Sequence, residues 1–202
     1  AGVKKIIFSS SGGAIYPDSP KVPFSEKIFP DPISPYGIGK RTSEMYFMFM
    51  QHAYKLPFVA LRYANVFGPR QNAKGEAGVI SIFTERMLAG KQALINGTGK
   101  QTRDFVFVDD VVRANLFAMQ KNVTGVFNIG TGRETDVNTL FRKLSKLTGY
   151  KLPACHAPAA KGEVMRSALD ARKAKEILAW EPIVKFDEGL KKTVEWFRKK
   201  SI

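Results

Sequence analysis

The sequence predicts an α/β protein built on a parallel sheet with helical crossovers. Two observations carry this. Short apolar runs bounded by Gly, Pro and Ser alternate along the chain with longer segments of helical period. Several of these runs are apolar on successive residues, as strands covered on both faces must be.

The elements follow in order. Val3-Lys4-Lys5-Ile6-Ile7-Phe8 reads as a buried strand ending at Ser9-Ser10-Ser11, and Gly12-Gly13 begins a loop. Residues 17–35 hold six prolines and predict an irregular connection. A helix is expected from about Tyr36 to Tyr54. Its centre, Met45-Tyr46-Phe47-Met48-Phe49-Met50, is apolar all round, which predicts burial on two sides, by a sheet and a partner helix. Pro57 to Tyr63 is the next strand, followed by a polar loop over 65–78 and a helix near 79–89. Short strands are expected at 93–95 and 105–108. Asp109 or Asp110 suits a helix start, since a carboxylate complements the free amides there. A strand over 125–130 and helices near 136–148, 170–178 and 186–199 complete the chain.

The opening strand suits the centre of a sheet, yet no earlier strand precedes it. As an edge it would offer unpaired backbone groups, so either another chain supplies its neighbour or it pairs with a copy of itself.

Composition narrows the function classes. The 202 residues are 44% apolar, enough for a sizeable core without disulfides or metals. One cysteine, Cys155, fits a reducing, cytoplasmic setting. His156 adjoins it, but no second ligand pair appears, so no metal site is expected. No apolar run approaches the roughly 20 residues needed to cross a bilayer. The net charge of +14 is spread along the chain, with no Cys/His finger and no RNA-binding aromatic motif, so no nucleic acid is expected. A basic surface equally attracts an anionic small molecule such as a diphosphate ester.

The chemistry-bearing spacing is Tyr36-Gly37-Ile38-Gly39-Lys40, which puts a phenol and an ammonium on one helix face. A nearby ammonium favours the phenolate, lowering a tyrosine pKa from about 10 and making a usable general base. The serine cluster lies 25 residues upstream, counting Ser11 to Tyr36, at the strand end where open α/β sheets place their ligands.

Ser, Tyr and Lys in this order resemble the catalytic triad of short-chain dehydrogenases. Ser9 to Tyr16 resembles the strand-end motif of UDP-glucose 4-epimerases and their relatives in the NAD-dependent epimerase/dehydratase family. Leu61-Arg62-Tyr63-Ala64-Asn65-Val66-Phe67-Gly68-Pro69-Arg70-Gln71, Glu76 to Ile80, Gly97 to Asp110, Phe127 to Gly132 and Leu169-Asp170-x-x-Lys173-Ala174 resemble further family segments in the same order. The resemblance spans essentially the whole chain.

It implies the C-terminal part of a Rossmann-like doubly wound parallel sheet plus a small mixed α/β substrate-binding domain. Residues 1–71 would belong to the former and 72–202 mainly to the latter, with 104–130 returning to the sheet. It implies Ser11, Tyr36 and Lys40 as catalytic residues, with Ser10 the runner-up to Ser11. Ser10, Tyr36, Lys40, Tyr63 and Ala64 would meet the NAD cofactor. Ser11, Asn65, Val79, Ile80, Arg103, Lys161 and Glu163 would meet a UDP-sugar substrate, with Arg103 pairing a phosphate. The implied reaction is 4-epimerisation of UDP-glucose and UDP-galactose, or related UDP-sugars, through a 4-keto intermediate. The implied partner is a second copy, as a dimer, or a separate N-terminal half.

Two departures stand out. Ala160 occupies the place of a phosphate-binding arginine in the family's Arg-Pro-Gly-Glu segment, with Lys161 a point-charge substitute. The family's Gly-x-x-Gly-x-x-Gly turn, which holds the NAD pyrophosphate on helix amides, occurs nowhere in the sequence. The resemblance therefore implies that the N-terminal NAD-gripping part is absent, and with it strong NAD binding. A dehydratase or decarboxylase on the same scaffold, and an inactive fragment needing a partner, are the alternatives.

Overall fold

A computed structural model describes residues 2–19, 21–73, 78–159, 162 and 164–200. The chain opens with β1 (Ile6–Ser11), the short helix α1 (Gly12–Ile15) and the long helix α2 (Pro35–Tyr54). Then come β2 (Phe58–Tyr63), β3 (Asn65–Phe67), α3 (Val79–Leu88), β4 (Leu94–Asn96), β5 (Thr102–Arg103) and β6 (Phe105–Phe107). It continues through α4 (Val108–Gln120), β7 (Gly125–Ile129), β8 (Thr135–Asp136), α5 (Val137–Thr148) and β9 (Cys155–Ala157). A π-helical turn (Ala174–Leu178) and α6 (Phe186–Lys200) close it.

The expected parallel sheet is present in the order β1-β2-β7. Ser9, Ser10 and Ser11 stand opposite Leu61, Arg62 and Tyr63, so the two strands end together. Helices cover both faces. Phe47 of α2 meets Phe8 and Phe58 on one face, with ring centroids 5.0 and 6.2 Å apart. On the other face α4 meets β2, and Lys5 donates to the last carbonyls of α4, Ala118 and Lys121, at 2.7 Å each. Smaller two-stranded sheets join β3 with β6 and β4 with β9 in parallel, and β5 with β8 antiparallel. One apolar cluster, around Leu61, Phe127 and Trp180, underlies the main sheet. A second, around Phe83, Ile95 and Leu140, fills the space between α3, α5 and α6.

Several expectations are corrected. The sheet covers only one side of α2: Met45, Tyr46, Met48, Phe49 and Tyr54 are 50–70% exposed. Among the described residues no helix packs on that side. Strand β1 begins at Ile6; Val3 is 57% exposed and, among the described residues, lies outside the β1–β2 register. Gly12-Gly13 is a helical turn, and β3 occupies part of the expected polar loop, since Asn65–Phe67 aligns with Phe105–Phe107. Strand β9 was not anticipated at all. The helix expected over 170–178 ends as a π turn. Ala179 adopts φ 55°, and Trp180 N–H reaches back to Ala174 O at 3.2 Å. That reversal drives Trp180 into the core, where its indole N–H donates to Asp110 O at 2.8 Å.

Candidate functional site

The carboxyl ends of β1 and β2 place the serine cluster beside the first turns of α2. Ser34 caps that helix by accepting from Gly37 N–H at 3.1 Å, and Pro35 supplies a preset first position. Gly37 is required by close approach: a Cβ there would stand 2.1 Å from Ala14 O. Helix α2 therefore presses directly on α1, which begins one residue after Ser11.

Lys40 Nζ donates to Ser9 O at 2.7 Å and lies 5.6 Å from the Tyr36 ring centroid. Tyr36 is 51% exposed, open to a ligand at the sheet end. Ser11 is the N-cap residue of α1 but makes no side-chain cap bond. Ser10 points the other way, as strand alternation dictates. Its hydroxyl is buried and donates to Glu44 Oε1 at 2.7 Å. The Tyr63 hydroxyl sits on the α4 face, 3.2 Å from Ser9 Oγ and 2.9 Å from Asn115 Nδ2. Ala64 is buried and donates its N–H to Ile129 O.

Glu44 follows Lys40 by one turn and anchors α2 to the sheet. Arg62 of β2 donates to Glu44 Oε1 at 2.9 Å and Oε2 at 2.6 Å, and also to the Tyr16 hydroxyl at 2.9 Å. Burial alone would raise the Glu44 carboxyl, but the hydrogen bonds and charge of Arg62 outweigh it and hold the carboxyl below its usual range. Asp104 shows the reverse balance. Its carboxylate accepts from Thr131, Gly132 and Leu169 amides, yet burial dominates and pushes it above the usual range.

A slot of about 420 Å³ adjoins this end of the sheet. Asn65, Gly78, Val79 and Arg103 line one part; Ile82, Phe83, Arg86, Leu94, Asn96, Gln101 and Val137 line the rest. Asn65 Oδ1 is buried with no hydrogen-bond partner among the described residues, and lies beside Gly13 of α1. Arg103 Nη1 donates to Thr102 O and Val164 O at 2.8 and 2.7 Å, which fixes the guanidinium at the slot wall. Val79 lines the slot, whereas the Ile80 side chain is buried in the core beneath it. The slot also meets the N-terminal end of α3, the favoured end of a helix for an anion. Lys161 and Glu163, with Ala160, lie outside the described residues.

Sequence reasoning missed Arg86 and Asn96. The spacing 79, 82, 83, 86 of one helix face could have signalled Arg86. Larger hollows of about 680 and 720 Å³ lie elsewhere. The first sits by Pro57 and Gly125, at the opposite end of the strands from the serines. Among the described residues no group of His, Cys, Asp and Glu could hold a metal, and no helix is long and apolar enough to cross a membrane.

Fold and site together define an α/β scaffold whose parallel sheet carries a Tyr/Lys helix face and a serine cluster at its carboxyl end. The family model described as NAD dependent epimerase/dehydratase family matches residues 1–130, and the chain belongs to that family. It is 45% identical over 197 residues to a putative UDP-glucose 4-epimerase of Methanocaldococcus jannaschii, covering 97% of this chain and 64% of the relative. It is 44% identical over 203 residues to the UDP-glucose 4-epimerase of Mycolicibacterium smegmatis, covering 100% and 64%. The crystal structure of a Thermotoga maritima UDP-glucose 4-epimerase with UDP-glucose superposes with a TM-score of 0.97 at 57% identity, over 100% of this chain and 65% of that one. The chain thus spans under two thirds of the length of these relatives.

Proposed function

We propose that this chain carries the sugar-reacting part of an NAD-dependent UDP-sugar 4-epimerase, acting on UDP-glucose and UDP-galactose or close analogues. The observation that carries the reading is the 2.7 Å contact of Lys40 Nζ with Ser9 O. It brings the Tyr36–Lys40 face of α2 to the serine end of β1, beside a slot with a fixed arginine. The matching family and the 44–45% identity to UDP-glucose 4-epimerases support it.

Tyr36 takes the proton of the sugar 4-hydroxyl as general base and returns it to the same oxygen after the sugar has turned its other face for hydride return to C4. Lys40, on the same helix face and held by Ser9 O, places its ammonium beside the Tyr36 ring. Ser11 hydrogen-bonds the reacting oxygen. Asn65, the α3 amides and Arg103 hold the nucleotide diphosphate while the sugar rotates. The exposed Tyr36 and the half-buried Lys40 fit the nicotinamide-ribose side of NAD, which when bound supplies reversible hydride acceptance. A reducing, cytoplasmic setting suits the exposed Cys155 thiol.

Product analysis after incubation with UDP-glucose and NAD tests this. UDP-galactose, formed only at high NAD concentration and abolished in Tyr36→Phe, is the expected result. A stable 4-keto or pentose product would replace the reading with a dehydratase or decarboxylase. UDP-glucose binding without turnover would favour a binding subunit completed by a partner.

A further inference from the structure

The geometry points to Arg86 as a specificity-determining residue that reads the base of the bound nucleotide. This rests on the reading of the slot as the nucleotide diphosphate site.

The slot has two chemically different ends. Gly78 is the N-cap residue of α3 and lines the slot with Asn65 and Arg103, so the slot meets the positive end of the helix dipole. That end suits the diphosphate. Val79, Ile82, Phe83 and Arg86 then follow at helical spacing along one face of α3. Seven residues at the helical rise put Arg86 about 10 Å further along the slot from Val79. At that separation it cannot serve the same phosphate as the α3 amides. Ile82, Phe83, Leu94 and Val137 give the slot apolar walls, alongside the polar Asn96 and Gln101. Apolar walls with a cation among them suit a flat ring with polar atoms on its edge.

Arg86 is held rather than swinging free. Its Nη1 donates to Gln92 O at 2.9 Å, and Gln92 Nε2 in turn donates to Pro153 O at 2.9 Å. A guanidinium has five donors and no acceptor. It therefore recognises carbonyl oxygens and repels exocyclic amines. A pyrimidine with two carbonyls, as in uracil or thymine, fits; cytosine offers an amine in place of one of them.

Calorimetric titration of the full chain with UDP, CDP and inorganic diphosphate tests the assignment, in wild type, Arg86→Ala and Arg103→Ala. In wild type, UDP should bind more tightly than CDP. Arg86→Ala should weaken UDP about tenfold, the loss of one charged hydrogen bond, bring UDP and CDP together, and leave diphosphate unchanged. Arg103→Ala should weaken all three. Unchanged UDP affinity in Arg86→Ala, with the Arg103→Ala loss intact, overturns the Arg86 assignment alone. An equal loss of UDP and diphosphate in Arg86→Ala also overturns it, making Arg86 a phosphate contact. A wild-type chain that binds neither UDP nor diphosphate overturns the slot reading and this inference together.

Discussion

Glu44 and Arg62 form a two-point ion pair inside the protein, at 2.9 and 2.6 Å, with both side chains at most 3% exposed. It joins the helix that bears Tyr36 and Lys40 to the strand next to the serine cluster. Removing one partner strands the other charge in the interior. Glu44→Gln should therefore cost about 3–5 kcal/mol in urea unfolding, far more than a surface substitution.

The same pair sets a pH dependence. The Glu44 carboxyl in the folded protein lies below its ordinary value of 4.5. A depressed carboxylate stabilises the fold fully above the unfolded value and loses that contribution as pH falls through the folded one. Stability measured from pH 7 downward should thus begin to fall near 4.5 and continue below it. In Glu44→Gln this part of the decline should vanish; an identical acid limb in both proteins would refute it.

Tyr36→Phe should lower any epimerase turnover by about 10²–10⁴, the usual contribution of a general base, with UDP-glucose affinity kept. Parallel loss of kcat and of binding would assign Tyr36 to ligand holding instead.

The bare side of α2 predicts association. Met45, Tyr46, Met48 and Phe49 form an apolar surface of the kind that marks interfaces. Light scattering should show a mass that rises with concentration, and Met48→Lys with Phe49→Glu should reduce it. A monomer at high concentration would count against this.

Much of this was legible in order and spacing. Runs such as Phe58-Val59-Ala60-Leu61 are apolar without alternation, and so announced a parallel sheet buried on both faces. Tyr36 and Lys40 declared a shared helix face by their separation. Other features depended on distant partners. Asn65–Phe67 is too short to read as a strand until Phe105–Phe107 lies beside it. Glu44 looks like a solvated helix residue until Arg62, eighteen positions on, is packed against it. Helix α1 hid behind two glycines, which by themselves signal a turn. The π turn before Trp180 comes from tertiary packing that helical period cannot show.

Gly37 carries a last consequence. Its Cα rests against the Ala14 carbonyl with no space for a methyl group, so Gly37→Ala should cost about 1–3 kcal/mol by overpacking. The fit also couples two pieces of chemistry mechanically. Ser11, one residue before α1, and Tyr36, one residue before Gly37, ride on surfaces that cannot slide past each other. A rearrangement of this end of the sheet would have to hinge away from the Gly37–Ala14 contact. On the proposed reading, the joint holds the spacing of Ser11 and Tyr36 constant.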